Sequence, residues 1–376
     1  MKFIVSSSLL LKNLQKISGV LSTNNTLPIL DDFFFLFNEE QLSVTASDLH
    51  TTMTVSLEPD KMEESGVVAI PARILLDTLK TFSDIPVSFN INEETMTVEI
   101  SAGEGTYKLP GHKSDEYPQV PAKEEATDIT MPASMLAMAI NKTIFATGND
   151  ELRPVMSGVL CELSPYEITF VATDAHKLVR YTRKDVTTEE SASFILPKKP
   201  LNQLKAVLSM DDDTPVKIEY NKTNAFFAFE NIKLVCRQVE GKYPNYEAVI
   251  PKDNTKNLVI DRQAFQNALR RVSIFANQST HQVRLSISGQ ELFLKAEDVE
   301  FANEAHERLD CSYEGEDMDI GFNSKFLQEM VSNLDTEQIR MEMSEPNRAG
   351  ILFPLEEEEN NDEQVLMLVM PVMLNS

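Results

Sequence analysis

One short motif recurs along the chain at intervals of 126 residues, and each copy precedes a stretch with the period of an amphipathic helix. Pro71 is followed 126 residues later by Pro197, and Asn323 stands a further 126 residues on. Self-similarity at a fixed period indicates a tandem array of one structural unit. The interval divides the 376 residues into three copies, each long enough to bury its own core.

A second pair of motifs runs in the same phase. Asp48 recurs as Asp174 and more weakly as Asp298, and Tyr117-Pro118 recurs as Tyr243-Pro244. An array of equivalent units favours a symmetric, geometric function over a single catalytic cleft. Polar stretches between the copies, one of them containing Glu124 and Glu125, predict short boundaries between three domains, at 1–122, 123–252 and 253–376.

Each copy divides into two halves with the same predicted order of elements, β-α-β-β-β. Near the N-terminus a short strand precedes a helix whose Leu10 and Leu14 fall on one face. In the last helix we expect Phe326, Met330 and Leu334 on the buried face. Two helices and about eight strands per copy predict an α+β fold in which the helices cover one face of the sheets.

Charge is sorted between the predicted helices and the rest of the chain. The net charge of −25 by itself argues against nucleic acid as a partner. The six helix windows nevertheless hold 12 of the 34 basic residues, Lys142 and Arg270 among them, and only two of the 59 acidic ones. We therefore expect the helices to turn basic faces outward, although a basic wet face is also an ordinary helix property. The windows are 9–21, 73–82, 134–145, 198–208, 262–274 and 324–334.

The sequence contains no recognisable catalytic or metal-binding motif, so we expect neither an enzyme nor a cofactor. The chain lacks a phosphate-binding loop and a nucleophile elbow, and its five histidines show no ligand spacing. Asp174 with His176 could suggest a hydrolase, but a nucleophile and an oxyanion site are missing. We interpret Asp48 and Asp174 as turn residues that bond their own backbone.

The remaining composition predicts a cytoplasmic protein. The N-terminus has no signal-peptide hydrophobic region, and no stretch resembles a membrane span. Cys161, Cys236 and Cys311 are an odd number without metal-like spacing, which predicts reduced structural thiols.

The C-terminal region admits two interpretations. Apolar sequence from Val365 onward predicts a strand, and Pro371 is expected to end its pairing. The apolar residues beyond Pro371 are either the frayed end of a core strand or a methionine-rich, adaptable pocket for partner peptides. The acidic run Glu356–Glu359 is interpreted as a solvated hairpin loop in preference to an acidic interaction tail.

Several segments spread over the whole chain match one family: Met1-Lys2-Phe3, Thr26–Leu30, Ile70–Arg73, Ala172–Leu178, Tyr243–Tyr246 and Val369–Val372. Together they resemble the bacterial DNA polymerase III β sliding clamps, the processivity factors of the replicative polymerase. The resemblance implies a head-to-tail homodimer closed into a ring, with helices lining the hole and sheets outside. Such a ring encircles double-stranded DNA without sequence specificity and is loaded by an ATP-driven clamp loader.

The resemblance also implies residues that contact DNA. A cationic lining attracts the duplex through its phosphates without reading bases. The family often has an arginine where this chain has Asn24-Asn25, which is a departure at one such contact. The matching positions are Lys12, Arg73, Arg153, Lys198 and Lys199.

A peptide-binding cleft is a further implication of the resemblance. In the family, the polymerase catalytic subunit, the clamp loader and repair proteins share it by inserting short hydrophobic motifs, which favours the pocket interpretation of the C-terminal region. Ala175 stands where glycine is common, and Lys177 and Ala248 stand where arginine is common, so we expect a less cationic rim. The matching positions are Met156, Thr173, Ala175, His176, Lys177, Leu178, Pro244, Val249, Val369, Met370, Pro371, Val372 and Met373.

The subunit interface of the family pairs Tyr107 and Leu109 with Ile274 and Phe275 of a second copy. Tyr107 and Leu109 lie on a candidate edge strand, which needs a partner. The alternative to a DNA clamp is a repeat scaffold that binds peptides but not DNA. The two differ in whether the basic helices share one concave surface; a clamp would be cytoplasmic and associated with the nucleoid when loaded.

Overall fold

A computed structural model describes residues 1–23, 25–38, 41–123, 126–150, 152–355 and 362–374. Asn24, the boundary residues Glu124 and Glu125, and the acidic run Glu356–Glu359 therefore lie outside the described residues. The chain divides into two compact units, of which the first comprises Met1–Met138 with Leu196–Gln238 and the second Ala139–Ile195 with Val239–Ser376.

The first third of the chain runs strand, helix, then several strands, and does so twice. Its elements are β1 (Lys2–Ser6), α1 (Ser7–Ser18), β2 (Asp32–Phe37), β3 (Leu42–Ser47), β4 (Thr51–Leu57), β5 (Lys61–Glu64), β6 (Gly66–Pro71), α2 (Ala72–Leu79), β7 (Pro86–Asn92), β8 (Thr97–Ala102) and β9 (Gly105–Pro110).

The middle third repeats this order. Its elements are β10 (Thr127–Pro132), α3 (Ala133–Thr143), β11 (Gly158–Leu163), β12 (Ile168–Thr173), β13 (Lys177–Arg183), β14 (Ala192–Pro197), α4 (Lys198–Val207), β15 (Pro215–Tyr220), β16 (Asn224–Phe229) and β17 (Ile232–Arg237).

The last third follows the same order with two short additional strands. Its elements are β18 (Lys256–Asp261), α5 (Arg262–Val272), β19 (Gln282–Ser288), β20 (Glu291–Asp298), β21 (Asn303–Asp310), β22 (Ser312–Glu314), β23 (Met318–Asn323), α6 (Ser324–Ser332), β24 (Gln338–Met343), β25 (Gly350–Leu355), β26 (Glu363–Val369) and β27 (Pro371–Val372). None of the helices in the described part of the chain has the length and apolarity needed to cross a bilayer.

The motif that recurs every 126 residues marks the start of a helix. Pro71, Pro197 and Asn323 each stand directly before a helix, at the ends of β6, β14 and β23. Proline suits this position because its missing N–H would have no partner inside the helix. Asn323 caps instead with its side chain, whose Oδ1 accepts a hydrogen bond from the backbone N–H of Lys325 at 2.9 Å.

In the first unit, two antiparallel sheets enclose an aromatic core. The strand orders are β5-β1-β7-β8-β9 and β10-β15-β16-β17-β4-β3-β2-β6. Phe3 and Phe89 of the five-stranded sheet stack with ring centroids 4.8 Å apart, and Phe35 of the other sheet lies 6.5 Å from Phe89. The pairing of β17 with β4, from Ile232↔Val55 to Cys236↔Thr51, joins strands of two sequence copies in one sheet.

The second unit is built in the same way. Its sheets have the orders β14-β11-β12-β13-β26-β25-β24-β18-β22 and β21-β20-β19-β23-β27. Here β13 pairs with β26 from Lys177↔Val369 to Arg183↔Glu363, again joining strands of two copies. Because a sheet runs through each of these junctions, the compact units do not coincide with the sequence period.

Four of the five apolar residues named above for the first and the last helix are buried. Leu10 and Leu14 of α1 are fully buried, as are Met330 and Leu334 in and after α6. Phe326, however, is only half-buried, and Leu327 takes the core position in its place. The prediction for Phe326 was wrong because residues at both positions satisfy a helical period, and only the docking angle of α6 selects between them.

Two further expectations are corrected. Pro371 does not end pairing: the chain leaves the nine-stranded sheet after Val369, and Pro371 and Val372 pair with Phe322 and Gly321 at the edge of the other sheet. An edge strand tolerates proline because its N–H side needs no partner.

Lys142 does not face outward; its side chain is only 8% exposed. Its Nζ donates to the carbonyl of Asn333 at 2.7 Å and to the carboxylate of Asp335. The helix period placed Lys142 on the wet face, but the turn after α6 covers that face.

Candidate functional site

The recurring aspartates lie in tight turns between strands and bond their own backbone. Asp174 Oδ1 accepts the N–H groups of His176 and Lys177, both at 2.9 Å, and Asp48 Oδ1 accepts those of His50 and Thr51. The turn interpretation is therefore confirmed for both. Ala175, between Asp174 and His176, has φ 76°, a left-handed conformation that disfavours a side chain.

A cavity of about 510 Å³ opens beside the Asp174 turn, inside the second unit. Its floor consists of buried apolar residues from β13, β26 and the turn before β25, namely Leu178, Leu368 and Ala349. One wall is the short 3-10 helix Tyr246–Val249, which follows Pro244. A concave apolar site of this kind suits a few hydrophobic side chains with polar groups at its rim.

Nine of the thirteen residues predicted for a peptide cleft line this cavity. They come from four separate chain segments, two of which, around Leu178 and Met370, are brought side by side by the pairing of β13 with β26. The nine are Met156, Thr173, Ala175, His176, Lys177, Leu178, Pro244, Val249 and Met370.

The other four predicted cleft residues lie elsewhere. Val369 is fully buried in the nine-stranded sheet, where it pairs with Lys177 and Gly350. Pro371 and Val372 form the edge strand β27, and Met373 beyond it is 76% exposed. These residues are thus next to the cavity in sequence without lining it.

Ten of the nineteen residues that line the cavity were not among the predicted cleft residues, and five of these ten belong to two loops without periodic sequence. One loop contains Ile250, Pro251 and Asp253, and the other contains Asn347 and Arg348. The only local signal is Pro346-Asn347, which is typical of a tight turn. That the two loops face one cavity follows from the pairing of β18 with β24, which no local pattern predicts.

Lys177, expected at the cleft rim, is almost entirely buried, with its side chain 6% exposed. Its ammonium is bonded to the carboxylate of Glu329 on α6 and lies 4.9 Å from the ring centroid of Phe326. Asp174 Oδ2 is 3.6 Å away. His176 also meets α6, with its ring centroid 6.0 Å from that of Phe326 in a stacked arrangement. The charge of Lys177 is therefore paired inside the protein, where it stabilises the packing of the turn against α6.

The exposed charges around the cavity are also paired. Arg348 Nη1 donates to Asp253 Oδ2 at 2.6 Å, and Arg180 Nη1 donates to Glu247 at 2.8 Å. Tyr246 donates its hydroxyl to Glu162 at 2.5 Å; burial first and this carboxylate second raise the pKa of Tyr246. The phenol consequently stays neutral and remains a hydrogen-bond donor.

The five residues expected to contact DNA differ in how free their charges are. Lys12 on α1 and Arg73 on α2 are exposed, and Lys198 at the start of α4 is partly exposed. Lys199 donates to the carbonyl of Val20 at 2.8 Å and to Asp48 Oδ2 at 2.5 Å. Arg153 is exposed and pairs with Asp150 at 2.9 Å. Lys199 is therefore the most constrained of the five.

Three of the four residues expected at a subunit interface are exposed. Tyr107 lies on β9, which is an edge strand of its sheet, and Ile274 and Phe275 lie in the 3-10 helix Ser273–Phe275. Leu109, on the same strand as Tyr107, is instead only 5% exposed and belongs to the core. Tyr107 and Leu109 are two residues apart on one strand and therefore share a face. Leu109 is buried on that face, whereas Tyr107 packs against Phe82, with ring centroids 5.2 Å apart, and stays 41% exposed.

No group of three or more His, Cys, Asp or Glu side chains within the described ranges could hold a metal ion. Cys236 is fully buried, which raises the pKa of its thiol to about 12 and leaves it unreactive.

Three family models match the chain in sequence. The DNA polymerase III beta subunit N-terminal domain matches residues 1–121, the central domain matches 130–245, and the C-terminal domain matches 247–373. Together these models cover nearly the whole chain in the order that the family has.

Relatives of full length carry the same name. The chain is 29% identical to the beta sliding clamp of Pseudomonas putida and 26% identical to that of Bacillus subtilis, with at least 99% of each chain covered. Among solved structures it is similar to the DnaN sliding clamp, DNA polymerase III subunit beta, of Pseudomonas aeruginosa, at a TM-score of 0.93 and 27% identity over the full length of both. The chain therefore belongs to the DNA polymerase III beta subunit family, the non-catalytic sliding clamps that confer processivity in DNA replication.

Proposed function

We propose that this clamp encircles double-stranded DNA as a closed head-to-tail homodimer, with domains at 1–122, 123–252 and 253–376 and its helices lining the hole. A clamp loader opens and closes the ring, and the replicative polymerase catalytic subunit is tethered to it. The protein acts in the cytoplasm and lies on the nucleoid when loaded. A topological link, and not tight binding, keeps the ring on DNA. We expect that the clamp itself needs no cofactor.

The packing of the helices supports the proposed DNA contact. In the first unit α1 packs against both α2 and α4, so that the helices carrying Lys12, Arg73 and Lys198 are neighbours. Clustered cations attract the phosphate backbone without a preferred sequence, and a net charge of −25 over the whole chain discourages binding elsewhere. This adjacency of exposed basic residues on packed helices is the observation that carries the proposal.

The cavity beside the Asp174 turn supports a role as the shared peptide cleft. Its floor is apolar, its walls include the flexible side chains of Met156 and Met370, and the exposed Val249 lies at its edge. Methionine adapts its shape to different apolar partners. Polymerase, clamp loader and other proteins with short hydrophobic motifs would thus compete for one site.

Exposed apolar residues at a sheet edge support the homodimer. Tyr107 lies on β9, the edge strand of one five-stranded sheet, and β21 is an edge strand of the other. An exposed edge strand pairs readily with another chain, and Ile274 and Phe275 supply apolar area beside β21.

Retention on circular DNA tests the proposal. The clamp is loaded onto a nicked plasmid with the loader of the same organism and separated from free protein by gel filtration. Wild type is expected to stay on circular DNA and to slide off after linearisation, and the double charge reversal Arg73→Glu with Lys198→Glu to lower retention. Unchanged retention of the variant would favour the peptide-binding scaffold instead.

A further inference from the structure

Arg348 stands at the mouth of the peptide cavity, on the same cavity as Ala248, where the family commonly has an arginine. Its guanidinium comes from a different part of the chain, the turn between β24 and β25. We propose that Arg348 supplies the cationic group of the cleft in this protein and selects peptides that carry a carboxylate beside their apolar anchors. This inference rests on the proposed peptide cleft.

The backbone at Arg348 is held in place by a tight turn. The N–H of Arg348 donates to the carbonyl of Glu345 at 3.0 Å, and Pro346 occupies the second position of that turn. Proline presets the φ angle that this position requires, so little backbone freedom remains to be lost when a ligand binds.

The loop that carries the opposite carboxylate, that of Asp253, is held in place as well. Asn254 Nδ2 donates to the carbonyls of Glu342 at 3.0 Å and Ala349 at 3.2 Å, which ties the loop of Asp253 to the base of the Arg348 turn. Asp253 and Arg348 consequently meet at 2.6 Å across the cavity mouth. Asn254 is in this sense a positioning residue for the pair.

The Arg348–Asp253 contact indicates what the guanidinium can bind. Both side chains are largely exposed, at 48% and 67%, and an exposed pair of this kind contributes little to stability. The contact uses one N–H of a side chain with five donors in a planar fork, which suits a carboxylate. Asp253 therefore acts as an internal, weakly held competitor that a carboxylate of the incoming peptide can replace.

The other cations near the cavity are less suited to this role. Lys177 is buried against Glu329 and Phe326, and Arg180 is bonded to Glu247. Lys177 would have to leave its partners and bury less of its stem to reach a ligand. Of the one lysine and one arginine that line the described cavity, Arg348 is exposed and Lys177 is enclosed.

Peptide affinity tests the proposal. Two fluorescein-labelled hexapeptides share the C-terminal anchors Leu-Phe and differ only in having Asp or Asn before them, and each is made with a free and an amidated C-terminus. Dissociation constants are measured by fluorescence anisotropy at low and at 0.5 M salt for wild type, Arg348→Ala, Asp253→Asn and the control Lys252→Ala. Lys252 is exposed and adjacent to Asp253 but does not line the cavity.

For wild type we expect one of the two carboxylates, that of the Asp side chain or that of the C-terminus, to lower the dissociation constant. The decrease relative to the Asn or the amidated peptide should be about threefold to tenfold at low salt and smaller at high salt. Loss of preference on Asp→Asn identifies a side-chain carboxylate, and loss on amidation identifies the chain terminus. Arg348→Ala should abolish the preference and leave the affinity for the neutral amide within about twofold, whereas Asp253→Asn should strengthen carboxylate binding. Lys252→Ala should keep the preference.

Two results would overturn the role of Arg348 while leaving the cleft intact. One is a wild type that binds all four peptides equally, and the other is a preference that survives in Arg348→Ala. If wild type binds none of the four peptides, the proposed peptide cleft fails together with this inference. Binding of the neutral amide by wild type therefore separates the two failures.

Discussion

Lys199 donates to Asp48 at 2.5 Å, and the same carboxylate accepts the backbone N–H groups of the turn that follows it. A cation expected to meet DNA is thus part of a structural contact that joins α4 to the loop between β3 and β4. Its neighbour Lys198 has no such contact among the bonds of the described chain.

The two adjacent lysines are accordingly expected to behave differently. Lys198→Ala should reduce retention on circular DNA more than Lys199→Ala, because only Lys198 offers a charge that no carboxylate already neutralises. Lys199→Ala should instead lower the free energy of unfolding by about 1–3 kcal/mol, since Asp48 loses a charged hydrogen bond. Plasmid retention and urea denaturation measure the two effects. Equal losses in both assays would contradict this division of roles.

Replacing Ala175 by glycine is expected to stabilise the protein. The φ of 76° at Ala175 carries a steric penalty that glycine avoids. Glycine also gives the unfolded chain more conformational entropy, which opposes this gain. We expect a net increase in the free energy of unfolding of about 0.5–1 kcal/mol. Ala172→Gly, in the neighbouring strand β12, is the matched control and should destabilise. Chemical denaturation of both variants provides the measurement, and a destabilised Ala175→Gly would show that the side chain contributes packing there.

Removing one member of the ion pair between Lys177 and Glu329 should destabilise the protein more than removing both members. Glu329→Gln leaves a buried ammonium with only Asp174 nearby, and we expect a loss of about 1–3 kcal/mol. Lys177→Met keeps the contact with Phe326 and removes the charge. The double variant should therefore be more stable than Glu329→Gln alone. A double-mutant cycle from urea denaturation checks this, and additive losses would rule out the coupling.

Acid should remove the contribution of one surface pair selectively. The guanidinium of Arg183, bonded to Asp185 at 2.5 Å, lowers the pKa of that carboxyl below its usual value. A lowered pKa in the folded state means stabilisation that is present above the unfolded pKa, about 4, and is lost as the pH falls through the folded value. Asp185→Asn should thus unfold at a lower temperature than wild type at pH 7.

The difference between the two proteins should shrink as the pH falls below about 4. Melting temperatures of both proteins between pH 3 and 7 give the comparison. A difference that stays constant over this range would mean that Asp185 acts through its shape and not its charge.

Substitutions at an exposed and at a buried residue of the proposed subunit interface should affect different properties, the first assembly and the second folding. Ile274 is 77% exposed, so Ile274→Glu is expected to give a folded monomer in sedimentation at low concentration. Leu109→Ala removes a core side chain and should cost about 2–5 kcal/mol of folding free energy. Circular dichroism and sedimentation together distinguish the two outcomes; a dimeric Ile274→Glu would remove this residue from the interface.

Local sequence determined the helices, their starts and most of their buried positions. A helix is formed by contacts between residues three and four apart, so periods such as Leu10 and Leu14 and caps such as Asn323 are readable without the fold. The turn role of Asp174 was readable for the same reason, because its partners His176 and Lys177 are two and three residues away.

Tertiary packing alone decided which polar groups stay available. Lys142 and Arg270 belong to equivalent basic helices, yet Asn333 and Asp335, nearly two hundred residues from Lys142, enclose the first, and the second is exposed. Likewise Asp253 and Arg348 meet only because β18 pairs with β24. Burial and ion pairing depend on what a distant segment places against a side chain, and a periodic pattern holds no information about that segment.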